Sequence, residues 1–88
     1  MQIELSKVGI NSTLIDIRTP FEFSEYNVPG SINIPRINLL NSPEVYLNKY
    51  DTYYLICSKG VTSLSTAKIL NNLGYNCYSI IGGVDNLK

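Results

Sequence analysis

Cys57 closes an apolar run, Tyr53-Tyr54-Leu55-Ile56, and is followed by Ser58-Lys59-Gly60-Val61-Thr62-Ser63. A helical pattern then begins at Ser63 or Leu64. A strand that delivers a thiol into a polar loop facing a helix N-terminus is a recipe for a reactive thiolate. Free thiols titrate near pH 8.5, and the thiolate is the nucleophile. A helix N-terminus favours a nearby anion by roughly 0.3–2 kcal/mol. Amide N–H groups of Lys59 to Ser63 could add hydrogen bonds, and Lys59 could add a cation. The plain alternative is a buried small hydrophobe, because unpaired cysteine is among the most buried residue types. The polar loop weighs against that alternative, since sites concentrate in loops carried by a rigid scaffold.

Composition narrows the chemistry. The 88 residues contain no histidine, which excludes a Cys–His or Ser–His pair within the chain. Two cysteines without histidine are too few soft ligands for structural zinc. Seven basic and seven acidic residues balance to zero, so nothing favours nucleic acid as a partner. No apolar run is long enough for a bilayer and no signal-peptide layout is present, so a soluble cytoplasmic chain with reduced thiols and no membrane partner is expected.

The elements that must hold the loop follow from pattern and punctuation. Gln2 to Leu5 alternates as an edge strand does, and Thr13 to Ile17 is a compact apolar strand suited to a sheet covered on both faces. Thr19-Pro20-Phe21-Glu22 predicts a helix start with N-cap, N1 proline and capping box, ending near Tyr26 or Asn27. Val28-Pro29-Gly30-Ser31 reads as a turn before a brief strand, Ile32 to Ile34. Arg36 to Leu40 predicts a helical turn, and Ser42-Pro43-Glu44 starts a short helix running to about Lys49. Thr52 to Cys57 is the strand carrying the thiol. Ser63 to Leu73 is the clearest helix, with a stripe of Leu64, Ala67, Leu70 and Leu73 beside Ile69, stopped by Gly74. Cys77 to Ile81 is the last strand, and Val84 to Lys88 a final helical turn after Gly82-Gly83. Tyr53, Tyr54 and Phe21 read as core.

Strands alternating with helices, joined by connections too long for hairpins, give one α/β domain over residues 1–88 with a mainly parallel sheet. Ligands bind such sheets at the carboxyl ends of the strands. Asp16 to Arg18, Cys57 to Thr62 and Gly82-Gly83 all fall at such ends. Asp16 and Arg18 are two apart and share a face, so they are expected to pair with each other or with loop backbone, in a supporting ion pair rather than a catalytic role. Cys77 begins its strand while Cys57 ends its own, so parallel pairing sets them on the order of 15 Å apart. A disulfide requires Cα atoms within roughly 7 Å, and no bridge is expected.

Four segments in order resemble rhodanese-like domains. Leu14-Ile15-Asp16-Ile17-Arg18-Thr19-Pro20-Phe21-Glu22-Phe23 is similar to the family's opening motif, and Asn27-Val28-Pro29-Gly30-Ser31-Ile32-Asn33-Ile34-Pro35 to its second. Cys57 to Ser63 stands where its active-site loop would be, and Gly82-Gly83 matches its terminal glycine pair. The resemblance implies a central, mainly parallel five-stranded sheet flanked by helices, and a sulfurtransferase that uses no metal and no organic cofactor. The Cys57 thiolate would take the outer sulfur of a small donor, thiosulfate or a persulfide, to form a persulfide. The loop amides from Ser58 to Ser63 would cradle that sulfur, and an acceptor thiol or sulfur-carrier protein would remove it. The sequence also departs from the family. Ser58 and Thr62 stand where arginines are frequent, Asn27 replaces a histidine, Leu87 replaces a tryptophan, and a stub is expected in place of the last helix.

Two other functions compete. The scaffold could serve as a binding, regulatory or redox-sensing module of weak catalytic power, which the missing arginines favour. A phosphatase or arsenate reductase would need a longer loop closed by an arginine, and Ser63 stands at that place.

Overall fold

The computed structural model describes residues 1–88. Five strands form one all-parallel sheet in the order β1-β5-β4-β2-β3: β1 Gln2–Ile3, β2 Thr13–Asp16, β3 Ile32–Asn33, β4 Thr52–Ile56 and β5 Asn76–Ile80. Helices α1 Pro20–Glu25, α2 Arg36–Asn41, α3 Pro43–Tyr46 and α4 Val61–Asn72 connect them, with short 3-10 turns at Leu5–Lys7 and Val84–Leu87. The expected five-stranded α/β architecture is what the chain adopts.

Strand alternation sorts the side chains onto two covered faces. Ile15, Ile17, Tyr53, Leu55, Cys57 and Cys77 point to one side, where they pack with Ile34, Leu39, Leu47, Ala67 and Leu70. Leu14, Ile56 and Ile80 point to the other, against Val84. Truncating one of the fully buried leucines, Leu39, Leu55 or Leu70, to alanine costs about 2–5 kcal/mol by lost transfer energy and cavity formation.

The register fixes the two cysteines. Thr13 pairs with Tyr53 and Asp16 with Ile56, while Tyr53 pairs with Cys77. Cys77 therefore lies level with the start of β4 and Cys57 just beyond its end. Both thiols are free and buried.

Local chemistry explains the ends of the elements. The Thr19 hydroxyl accepts from the Glu22 amide while the Glu22 carboxylate accepts from the Thr19 amide, so α1 opens on the expected capping box. Asn71 ties α4 to β5 by accepting from the Cys77 amide and donating to its carbonyl.

Four expectations need correction. Phe21 is not core: it is 72% exposed on α1, which buries none of its residues. The helix after Pro43 stops at Tyr46 rather than Lys49, because the Asn48 side chain accepts from the Tyr50 and Asp51 amides and closes a turn instead. Helix α4 starts at Val61, two residues before Ser63. Its buried face is Ser63, Thr66, Ala67 and Leu70, whereas Leu73 is half-exposed. Only Ala67 and Leu70 of the expected stripe belong to the inner face, because the helix is rotated to set Ser63 under the thiol. The small residues Ser63, Thr66 and Ala67 let it approach the sheet closely.

Candidate active site

Cys57 follows β4 at the carboxyl edge of the sheet, and the chain then turns through Gly60 into α4. Gly60 is the helix N-cap, with a left-handed backbone at φ +90°. A side chain there would be strained, and its Cβ would lie 2.9 Å from the Gly82 nitrogen. Glycine carries no oxygen to cap the helix, and the sulfur takes that place. Cys57 Sγ accepts from the Ser63 amide, the third of the helix, at 3.2 Å, and from the Gly60 amide at 3.2 Å. The first amides of a helix lack intrahelical partners and carry the positive end of its dipole. The sulfur thus accepts from two amides at the positive end of α4. The usual N-cap residues are absent from the loop apex because the thiol does their work, which is why the sequence pattern put the start of α4 too late.

A buried hydroxyl chain continues from the sulfur. Ser63 Oγ lies 3.2 Å from Sγ and 2.6 Å from Ser79 Oγ, and Ser79 Oγ lies 3.4 Å from the Gly60 carbonyl. Hydroxyl protons rotate freely, so the chain can orient either way. With a thiol, Sγ–H donates toward Ser63 and the chain ends on the Gly60 carbonyl. With a thiolate, Ser63 donates back to sulfur and Ser79 donates to Ser63. The sequence marks Ser79 only by a hydroxyl between Tyr78 and Ile80 in β5. Ser63→Ala removes the only side-chain donor to the sulfur, and a hydrogen bond to a charged group contributes about 1.5–3 kcal/mol. Alkylation of Cys57 by iodoacetamide at pH 7 is expected to slow about tenfold.

Cys77 has no such surroundings. Burial pushes its thiol up to about 11, so it stays protonated and unreactive at neutral pH.

The remaining expected residues converge on the same edge. A cleft of about 410 Å³ over Cys57 is lined by Ser58, Lys59, Val61 and Thr62 from the loop and by Ile17, Arg18, Thr19 and Glu22 from the end of β2 and the start of α1. Asp16 itself lies behind the cleft, fully buried. Arg18 Nη2 lies 2.8 Å from Asp16 Oδ2, and its Nε donates to both carboxylate oxygens. Arg18 Nη2 also donates to the Tyr26 carbonyl at 2.6 Å, which pins the end of α1. Hydrogen bonding to Asp16 raises the Arg18 guanidinium above its ordinary range against the cost of burial, and Asp16, Glu22 and Asp85 add to it electrostatically. The expected ion pair is formed. Lys59 is exposed and pairs with no carboxylate.

The glycine pair closes the loop from behind. The Val84 amide donates to the Cys57 carbonyl at 2.8 Å and the Asp85 amide to the Ser58 carbonyl at 2.9 Å. Gly83 lets these two strands of chain meet: a Cβ on it would collide with the Cys57 and Ser58 carbonyl oxygens.

Fold and site together define a class: parallel α/β domains that hold a single cysteine sulfur at the carboxyl edge of the sheet, inside an amide-lined loop. Residues 3–88 match the model of the rhodanese-like domain, and the chain belongs to that family. It is 30% identical to the thiosulfate sulfurtransferase PspE of Escherichia coli, over 83% of this chain and 71% of that one. It is 36% identical to the adenylyltransferase and sulfurtransferase uba4 of Ogataea parapolymorpha, over 81% of this chain and only 18% of the relative. The chain thus spans under a fifth of that longer protein. The crystal structure of a rhodanese-related protein from Thermoplasma volcanium superposes with a TM-score of 0.77 at 32% identity, covering 85% of this chain and 74% of that one. No helix of the chain is long and apolar enough to cross a membrane.

Proposed function

We propose that the chain is a sulfurtransferase or sulfur carrier that holds a sulfane sulfur as a persulfide on Cys57. The observation that carries this reading is the sulfur at the N-cap of α4, hydrogen-bonded by the Gly60 and Ser63 amides and open to a cleft. The names of the curated relatives agree with it.

The chemistry is a two-step displacement. The Cys57 thiolate attacks the outer sulfur of a donor R–S–SH, a sulfur–sulfur bond forms on Cys57, and the donor's own bond breaks with its electron pair leaving on RS⁻. With thiosulfate the leaving group is sulfite. A second thiolate or cyanide then attacks the outer sulfur of Cys57–S–SH and restores the Cys57 thiolate. The amides of Val61 and Thr62, in the first turn of α4, are free of helical partners and cradle the transferred sulfur. Lys59 offsets negative charge on the donor or leaving group. Ser58 and Thr62 complete the wall, and Asp16 and Arg18 hold it in place. The physiological acceptor is a thiol or a sulfur-carrier protein.

The test is a single-turnover assay. Reduced protein is incubated with cysteine persulfide, and separately with thiosulfate, desalted, and treated with cyanide. About one equivalent of thiocyanate per chain is expected from at least one donor, by the one-cysteine stoichiometry of the covalent step. No thiocyanate from folded protein with either donor would contradict the proposal.

A further inference from the structure

Thiosulfate and an organic persulfide bring the same sulfur but opposite electrostatic demands. Thiosulfate is a compact dianion that leaves as sulfite, whereas a persulfide built on an α-amino acid is a zwitterion that leaves as a monoanionic thiolate. The cleft over Cys57 is lined by three charged side chains, Arg18, Lys59 and Glu22. Arg18 is committed to Asp16 and to the Tyr26 carbonyl, so its charge is already answered. Glu22 and Asp85 add further negative potential around it. The Glu22 carboxylate is held at the wall, because its Oε1 accepts from the Thr19 amide at 3.2 Å and the Thr19 hydroxyl at 3.0 Å. Lys59 is exposed and has no carboxylate partner. What remains for a ligand is one unpaired ammonium from the loop and one fixed carboxylate from α1. A dianion gains from the first and loses to the second. A zwitterion can satisfy both, and the cleft falls in the size range of sites for small organic ligands.

We propose, building on the sulfur-transfer reading, that this cleft is a charge filter whose donor is a zwitterionic amino-acid persulfide rather than thiosulfate, with Glu22 as the residue that sets the selection. Lys59 takes the donor carboxylate and Glu22 its ammonium, leaving the outer sulfur toward Cys57. The Cys57 thiolate takes that sulfur, and the amino-acid thiolate departs with the bonding pair, needing no oxidant or reductant.

Glu22→Gln tests it, since glutamine keeps the oxygen that caps α1 and removes only the charge. Wild type is expected to load Cys57 from cysteine persulfide with a second-order rate constant at least about tenfold above that for thiosulfate. In Glu22→Gln the thiosulfate rate rises about threefold or more at low ionic strength and the persulfide rate falls, so the preference narrows; salt weakens the effect. A second readout needs no sulfur transfer. The ratio of Cys57 alkylation rates by anionic iodoacetate and neutral iodoacetamide cancels thiol reactivity, and it should rise about twofold or more in Glu22→Gln. A wild type that prefers thiosulfate, or a donor preference and alkylation ratio unmoved by Glu22→Gln, would overturn the filter. Failure of both donors to load Cys57 would instead bring down the sulfur-transfer reading and the donor with it, while the alkylation ratio still decides whether Glu22 screens anions.

Discussion

Cys57→Ser is expected to abolish sulfur loading and lower transfer to cyanide by at least about 10³-fold, the scale seen when a covalent nucleophile is removed. The fold should survive. A serine hydroxyl is a good acceptor for the third amide of a helix, so the Ser63 and Gly60 amides keep a partner and α4 keeps its cap. The melting temperature should stay within a few degrees of wild type, by the scale on which about 1 kcal/mol moves a domain of this size by about 4–8 °C. Cys57→Ala makes the contrast. It is equally inactive, but it strands two amides around a buried site, at a cost of about 1–3 kcal/mol. A larger loss of stability in Cys57→Ala than in Cys57→Ser, measured by thermal melts, would confirm that the sulfur is also a structural cap. Transfer activity retained by Cys57→Ser would remove the basis of the mechanism.

Gly83→Ala is expected to cost at least about 3 kcal/mol. Gly83 has φ +62° and ψ −165°, a conformation essentially reserved for glycine. A Cβ there runs into the carbonyl oxygens of Cys57 and Ser58, which are backbone and cannot rotate away. Relief requires the Val84 and Asp85 amides to give up the two bonds that close the loop. Against a total stability of about 5–15 kcal/mol, this should lower the melting temperature by more than about 10 °C, with sulfur loading falling alongside. Gly82→Ala is milder: its Cβ meets the Asn86 side chain at 2.9 Å, and a side chain can move. Equal melting temperatures for Gly83→Ala and wild type would show that the turn is not the constraint described.

The contrast between Phe21 and Glu22 shows how far the sequence reaches. The capping box was legible because cap, proline and glutamate sit at fixed local spacings, and it formed as expected. Nothing in that spacing says which way the helix faces, so the pattern alone reads Phe21 as core and Glu22 only as a cap. Strands β2 and β4 were legible because apolar runs with turn residues on each side need no knowledge of their neighbours. The start of α4 was not, since its capping group is a cysteine three residues before the N-cap glycine, outside the usual capping pattern. The rule that parallel strands gather features at their carboxyl ends expects Cys57, Arg18 and Gly83 on one side, and the three lie at one edge of the sheet. The Ser63–Ser79 chain joins residues 16 apart in sequence, and only the packing of α4 on β5 brings them within 2.6 Å.

The most direct measurement is the intact mass of the reduced protein after incubation with cysteine persulfide, followed by peptide mapping. The account predicts a gain of one sulfur atom, located on Cys57 and not on Cys77, and removed by cyanide or dithiothreitol. Added sulfur on Cys77, or none on a folded protein with a free Cys57, would contradict it.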